Sequence, residues 1–297
     1  MRSLKYLGVL GLLAFCQACN SGSSTNKETE GASSEKEATE ESGPKLDALW
    51  ETDAWYPTNE SVFYYQGQDV LYVSCIAGNP TEKDGKGHIA RIATDGSIID
   101  SVWASGFHAP KGMCVFQGRL YFSDIDRVVS ISLANPEDRL FYPVGGAQFL
   151  NDLCPGQRGV FISDMNTGKL HYLESGIVHT INESLSGLNG LAYHENQLYA
   201  LSNQGLLKLS DGGEVLEVIN SEVTGGDGLV PLGNNQFLAS RWQGEIWFVD
   251  GSKATKMLDT KEANIQTADI GFKPSTSTLY VPRFFANRVS AFTFIKP

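Results

Sequence analysis

Six polar residues hold one position in a repeated pattern, and their chemistry is that of a cation site. Glu60, Lys111, Asn151, Asn189, Asp227 and Asp269 stand 12 to 14 residues ahead of six anchor residues: Ser74, Ser123, Ser163, Ser202, Ser240 and Pro282. None of the six is apolar, and Asp152 and Thr267 stand close by. Singly, each has a plain reading. Asn189-Gly190 and Asp227-Gly228 are turn dipeptides, and Asn151-Asp152 caps a turn. Brought to one axis, they differ. Buried polar groups must be satisfied, and carboxylates such as Glu60 and Asp227 repel each other unless a cation lies between them. The donors are carboxylate and amide oxygens, without His or Cys. Hard oxygen donors favour Ca²⁺, with Mg²⁺, Mn²⁺ or Zn²⁺ also admitted. Lys111, Asn151, Asp269 and Arg241 are the candidates for contact with a bound molecule. Arg241 enters because it follows the fifth anchor, with Trp242 beside it. His108, three residues before Lys111, reads as a turn residue.

The elements that must position these residues come from an internal repeat of about 40 residues. Leu71-Tyr72-Val73-Ser74 returns as Leu120-Tyr121-Phe122-Ser123, Val160-Phe161-Ile162-Ser163, Leu198-Tyr199-Ala200-Leu201-Ser202, Phe237-Leu238-Ala239-Ser240 and Leu279-Tyr280-Val281-Pro282. Each unit reads as a short apolar strand, a Gly/Asn turn, the anchor strand, a third strand and a variable fourth. Four antiparallel strands at this period describe a propeller blade. The chain is therefore expected to be all-β, a six-bladed β-propeller. Its sixth blade runs out of chain after three strands, and the segment from Lys45 to Trp55 is the expected donor of the missing outer strand. An insertion at 77–88 reads either as a lid over the channel mouth or as a solvated loop. The five tryptophans are expected to pack between blades.

The amino-terminal residues read as an export signal. Arg2 and Lys5 precede a short apolar run, and Ala18 precedes Cys19, the expected site of acylation. The expected domains are a lipoprotein-type signal peptide at 1–19, a disordered acidic tether at 20–43 rich in Ser, Thr, Glu and Gly, and the propeller at 44–297. The expected location is the periplasm or outer membrane, with the membrane reached by the lipid anchor alone. The net charge of −11 disfavours nucleic acid as a partner. Three cysteines remain beyond the signal, Cys75, Cys114 and Cys154, an odd set that reads as buried small hydrophobes. No Gly-x-Ser-x-Gly elbow, His-Glu-x-x-His helix or phosphate-binding loop is present.

In blade order, Asn59-Glu60-Ser61, Asn151-Asp152, Asn189-Gly190-Leu191 and Asp227-Gly228-Leu229 resemble the motifs of the gluconolactonase/regucalcin-like (senescence marker protein-like) six-bladed propellers. The resemblance implies that Glu60, Asn189 and Asp227 hold a metal and that Asn151 helps bind substrate or metal. Two positions depart: the blade-one Glu is followed by Ser61-Val62 without the family's Pro, and sugar lactonases of that family carry an Arg two residues before the blade-three Asn, where this chain has Phe149. The expected function is metal-dependent hydrolysis of a lactone or related ester. Asp227 would be the general base, and Lys111 would either stabilise an oxyanion or balance charge. The alternative is a non-enzymatic propeller with a structural ion, binding a ligand or partner protein. A monomer acting on a small molecule is expected.

Overall fold

The computed structural model describes residues 43–297. The expected signal peptide, Cys19 and the tether through residue 42 lie outside the described residues. Six four-stranded antiparallel sheets follow one another along the chain, each with its strands in sequence order except the last. That last sheet takes Lys45–Glu51 as its outer strand, paired antiparallel with Arg288–Ile295 from Lys45 opposite Ile295 to Glu51 opposite Ser290. The molecule is a six-bladed β-propeller closed by its amino-terminal strand, as the repeat predicts.

Burial follows the blade geometry. The anchor strands Val70–Cys75, Gly159–Asp164 and Thr278–Arg283 are buried at every residue. They lie between inner and outer strands and between two neighbouring blades, so both faces are covered and the usual polar alternation is lost. Outer strands such as Asn135–Pro143 keep one solvated face. The core is correspondingly divided among the blade interfaces. Leu71, Val73 and Val62 of blade one pack on Tyr280, Val289 and Ala291 of blade six. Tyr72 and Ile89 pack on Phe122 and Val129 of blade two. The same arrangement recurs around the ring. Three of the expected tryptophans join these layers: Trp50, Trp103 and Trp247. Trp55 and Trp242 do not; both are exposed, because they stand in loops rather than strands. Cys75, Cys114 and Cys154 are buried free thiols, pushed to higher pKa by their apolar surroundings.

Candidate functional site

The anchor serines fasten the inner strands to one another. Ser74, Ser163 and Ser240 Oγ accept the backbone N–H groups of Ser61, Asp152 and Gly228 at 2.9, 2.8 and 2.7 Å. Two of the anchors also donate across to the next blade. Ser123 Oγ donates to the Asn151 carbonyl at 2.5 Å, and Ser240 Oγ to the Ala268 carbonyl at 2.7 Å. The hydroxyl thus fixes backbone at the start of an inner strand, where the candidate side chains stand.

Those side chains are presented in two ways. In blades one to three the candidate residue lies within the inner strand at a break in register. The breaks fall between Asn59 and Ser61, Pro110 and Met113, and Leu150 and Leu153. Such a bulge turns Glu60, Lys111 and Asn151 out of the regular alternation. In blades four and five, Asn189 and Asp227 precede strands Leu191–His194 and Leu229–Gly233, held by backbone hydrogen bonds to Leu201 and Ser240. Their glycines are not turn residues. A side chain on Gly190 would strike the Asp227 carbonyl, and one on Gly228 would come within 2.5 Å of the Ile270 nitrogen. Glycine is needed there because neighbouring blades meet at the axis.

Five of the six expected residues line one cavity of about 460 Å³: Glu60, Lys111, Asn151, Asn189 and Asp227. All five are buried. Asn189 Nδ2 donates to Asp227 Oδ1 at 2.8 Å, which orients the amide and frees its oxygen. Asn189 Oδ1 and Glu60 Oε2 are both buried without a hydrogen-bond partner. Met165 Sδ sits between the Asn151 and Asn189 amide nitrogens, 3.9 Å from each.

The electrostatics follow from this crowding. Burial, then the charges of Asp227 and Asp269, push the Glu60 carboxyl well above its ordinary range. Burial and Asp269 push Asp227 up to about 7. Burial pulls the Lys111 ammonium down to about 8, against the opposing pull of Glu60 and Asp124. Lys111 Nζ donates to the Ala109 carbonyl at 3.3 Å and lies 4.4 Å from the centre of the Phe149 ring.

Two candidates fall elsewhere. Asp269 lines a separate cavity of about 240 Å³, further along the inner strands, together with Asp152. Its Oδ2 accepts the Ser61 hydroxyl at 2.5 Å, and its carboxyl is pushed up to about 6, mainly by burial. Asp152 is spent on structure, accepting the N–H groups of Leu153 and Leu191 at 2.7 and 2.6 Å. Arg241 turns to Glu245, donating from Nη1 to Oε2 at 3.0 Å, and is absent from the cavity lining. Its neighbour Trp242 is present instead. Asp269 and Arg241 are therefore corrected: neither reaches the cavity formed by the other five.

The rest of the lining escapes a search for polar residues. Ile76, Pro80, Phe149, Met165, Gly225, Trp242, Gln243, Phe284 and Phe285 complete the wall. Most stand two or three residues beyond an anchor, so the repeat that locates the inner strands also locates the mouth. Pro80 belongs to the insertion, whose Lys83 pairs with Asp126 of blade two at 2.5 Å, both side chains solvent-accessible.

The donor set fits a hard cation. Among the described residues no group of three His, Cys, Asp or Glu side chains forms a metal site. A cation here must draw on an amide oxygen as well as on carboxylates, and Asn189 Oδ1 is such an oxygen, buried and unpaired.

No protein-family profile and no curated protein matches this chain. Solved structures do. A catalytically inactive variant of virginiamycin B lyase from Staphylococcus aureus, with quinupristin, is similar over 85% of this chain and 100% of its own, at 13% identity and a TM-score of 0.58. A luciferin-regenerating enzyme is similar over 84% of this chain and 95% of its own, at 14% identity and 0.57. A chain of a nidogen/laminin complex is similar over 72% and 84%, at 14% and 0.58. At these identities the likeness is one of fold: the chain shares the architecture of six-bladed propellers that include enzymes and a protein-binding member.

Proposed function

We propose that this chain is a divalent-cation-dependent hydrolase of a lactone or related ester, of the gluconolactonase/regucalcin-like type. The observation that carries the reading is the pair of buried, unpartnered oxygens, Glu60 Oε2 and Asn189 Oδ1, on a cavity shared with Asp227. Glu60, Asn189 and Asp227 are the proposed ligands, with Ca²⁺ the ion best suited to the oxygen set. Held by these three side chains, such an ion would supply Lewis-acid polarisation of the substrate carbonyl. Asp227, buried on the same cavity, would take a proton from the attacking water as general base and return it to the leaving alcohol oxygen as the acyl C–O bond breaks. The Asn151 amide positions the substrate. The Lys111 ammonium, buried on the same cavity, stabilises negative charge on the carbonyl oxygen. The sequence supports placement outside the cytoplasm, with acylated Cys19 and the acidic segment 20–43 holding a monomeric propeller at the membrane.

The test is turnover of a panel of lactones and aryl esters before and after chelation, with Asp227→Ala as control. Chelator-sensitive turnover lost in the variant is the expected result. Its absence across the panel removes the hydrolase reading. A second reading is a binding propeller with a structural ion. It draws on Phe149 in place of the lactonase Arg, and on the nidogen/laminin chain among the similar folds.

A further inference from the structure

The candidate cavity has an apolar half for which hydrolysis alone gives no reason. Trp242, Phe284 and Phe285 form a cluster at its rim. Ring centres lie 5.7 Å apart for Trp242 and Phe284, 6.0 Å for Trp242 and Phe285, and 4.8 Å for Phe284 and Phe285, all edge to face. Phe285 is 60% exposed and Trp242 38%. A single exposed aromatic residue needs no explanation, whereas two adjoining ones on the rim of a cavity mark a binding surface. Phe149 and Ile76 extend the apolar wall.

Polar and apolar groups are segregated. The polar side chains Glu60, Lys111, Asn151, Asn189 and Asp227 are all at the buried end. Of the residues nearer solvent, only Gln243 and the indole N–H of Trp242 offer side-chain hydrogen bonds. A polyhydroxylated molecule would leave most of its hydroxyls facing the rings of Trp242, Phe285 and Phe149, where the indole N–H and Gln243 are too few to pair with them, and each hydroxyl desolvated without a partner weakens binding. A flat apolar group would instead cover the exposed rings. A volume of about 460 Å³ takes one or two fused rings together with a carbonyl.

We infer that the cavity selects a lactone or ester carrying an aromatic substituent, with the ring against Trp242 and Phe285 and the carbonyl at the buried polar end. The carbonyl's fate rests on the hydrolase reading above, while the preference for an aromatic group rests on the wall alone. Binding to the full chain, in chelator, separates the two. α-Tetralone is a bicyclic aromatic ketone that cannot be hydrolysed, and gluconolactam is the corresponding sugar-lactone analogue. Calorimetry and tryptophan fluorescence are expected to show α-tetralone binding about tenfold or more tighter than gluconolactam. Trp242→Ala and Phe285→Ser are each expected to weaken α-tetralone about three- to tenfold, the range of one aromatic contact. Phe285 is exposed, so its replacement does not threaten folding.

Three results overturn the inference: gluconolactam binding as tightly as α-tetralone, no measurable α-tetralone binding, or α-tetralone affinity unchanged in both variants. Aryl-ester turnover is then followed separately. Persistent α-tetralone binding with no turnover removes the hydrolase reading and leaves this one standing. Chelator-sensitive turnover that favours sugar lactones over aryl esters removes this one alone.

Discussion

Replacing Asp227 by Asn tests whether the site is built around a charge it cannot hold by itself. Asn keeps the shape of a protonated Asp and can still accept the Asn189 Nδ2–H now bonded to Asp227 at 2.8 Å. In chelator, the wild-type carboxyl has its pKa raised from 3.8 to about 7. A raised carboxyl pKa means the folded state binds more protons than the unfolded one. Stability is therefore undiminished below the unfolded value and falls as pH rises through the folded value. Full ionisation of a group raised this far costs about 4 kcal/mol, an upper bound because Glu60 and Asp269 share the proton balance. Asp227→Asn removes that cost. We expect the variant to be more stable than wild type by about 2 kcal/mol at about pH 8.5, with the gap closing toward about pH 4. For a domain of this size that is about 4–8 °C in Tm. Thermal unfolding followed by circular dichroism, in chelator across this pH range, is the assay. With Ca²⁺ at about a hundred times its Kd the order reverses, since the ion adds about 2.7 kcal/mol to a protein that binds it. A variant less stable than wild type in chelator at high pH, or a gap that ignores pH, refutes the account of a strained carboxylate cluster.

Other outcomes follow from the same geometry. Ser240→Ala strands the Gly228 N–H and the Ala268 carbonyl, and is expected to cost about 2–4 kcal/mol, read as a lower urea midpoint at unchanged m-value. Gly190→Ala drives a methyl group into the Asp227 carbonyl; we expect a loss of more than about 2 kcal/mol together with loss of the cation-induced Tm shift. Lys83→Ala breaks an exposed pair, so stability should move by less than about 1 kcal/mol, and KM is expected to rise with kcat unchanged because the insertion carries Pro80 onto the cavity. Removing residues 45–51 strips the outer strand from Arg288–Ile295; size-exclusion chromatography should show self-association through that bare edge.

The blades were legible because the repeat is written in buried residues. The anchor strands are buried over most of their length, three of them at every residue, so their Leu-Tyr-Val-Ser pattern cannot drift without opening the core. The five cavity residues were legible because their offset from the anchor is set by one hairpin. The bulges were not, since a register break leaves no residue signature, and that is why Asp152 beside Asn151 turns away to serve backbone N–H groups. Asp269 shares the offset of the others but meets Ser61 across the blade-six to blade-one junction and faces the second cavity. The aromatic rim belongs to loops, where no periodicity betrays direction. Phe285 looks in sequence like any core aromatic, whereas Trp242 stands out as the neighbour of Arg241 beyond the fifth anchor; both are exposed.

Pairing Lys45 with Ile295 also sets a schedule for assembly. The strand at 45–51 has no partner until residues 288–295 have been made, so the contact that locks the ring joins segments about 240 residues apart. Such a topology folds late and slowly, and partial chains expose the unpaired flank meanwhile. A polypeptide held extended until release loses nothing by that delay, whereas one that collapses during synthesis must wait with five blades and an open seam.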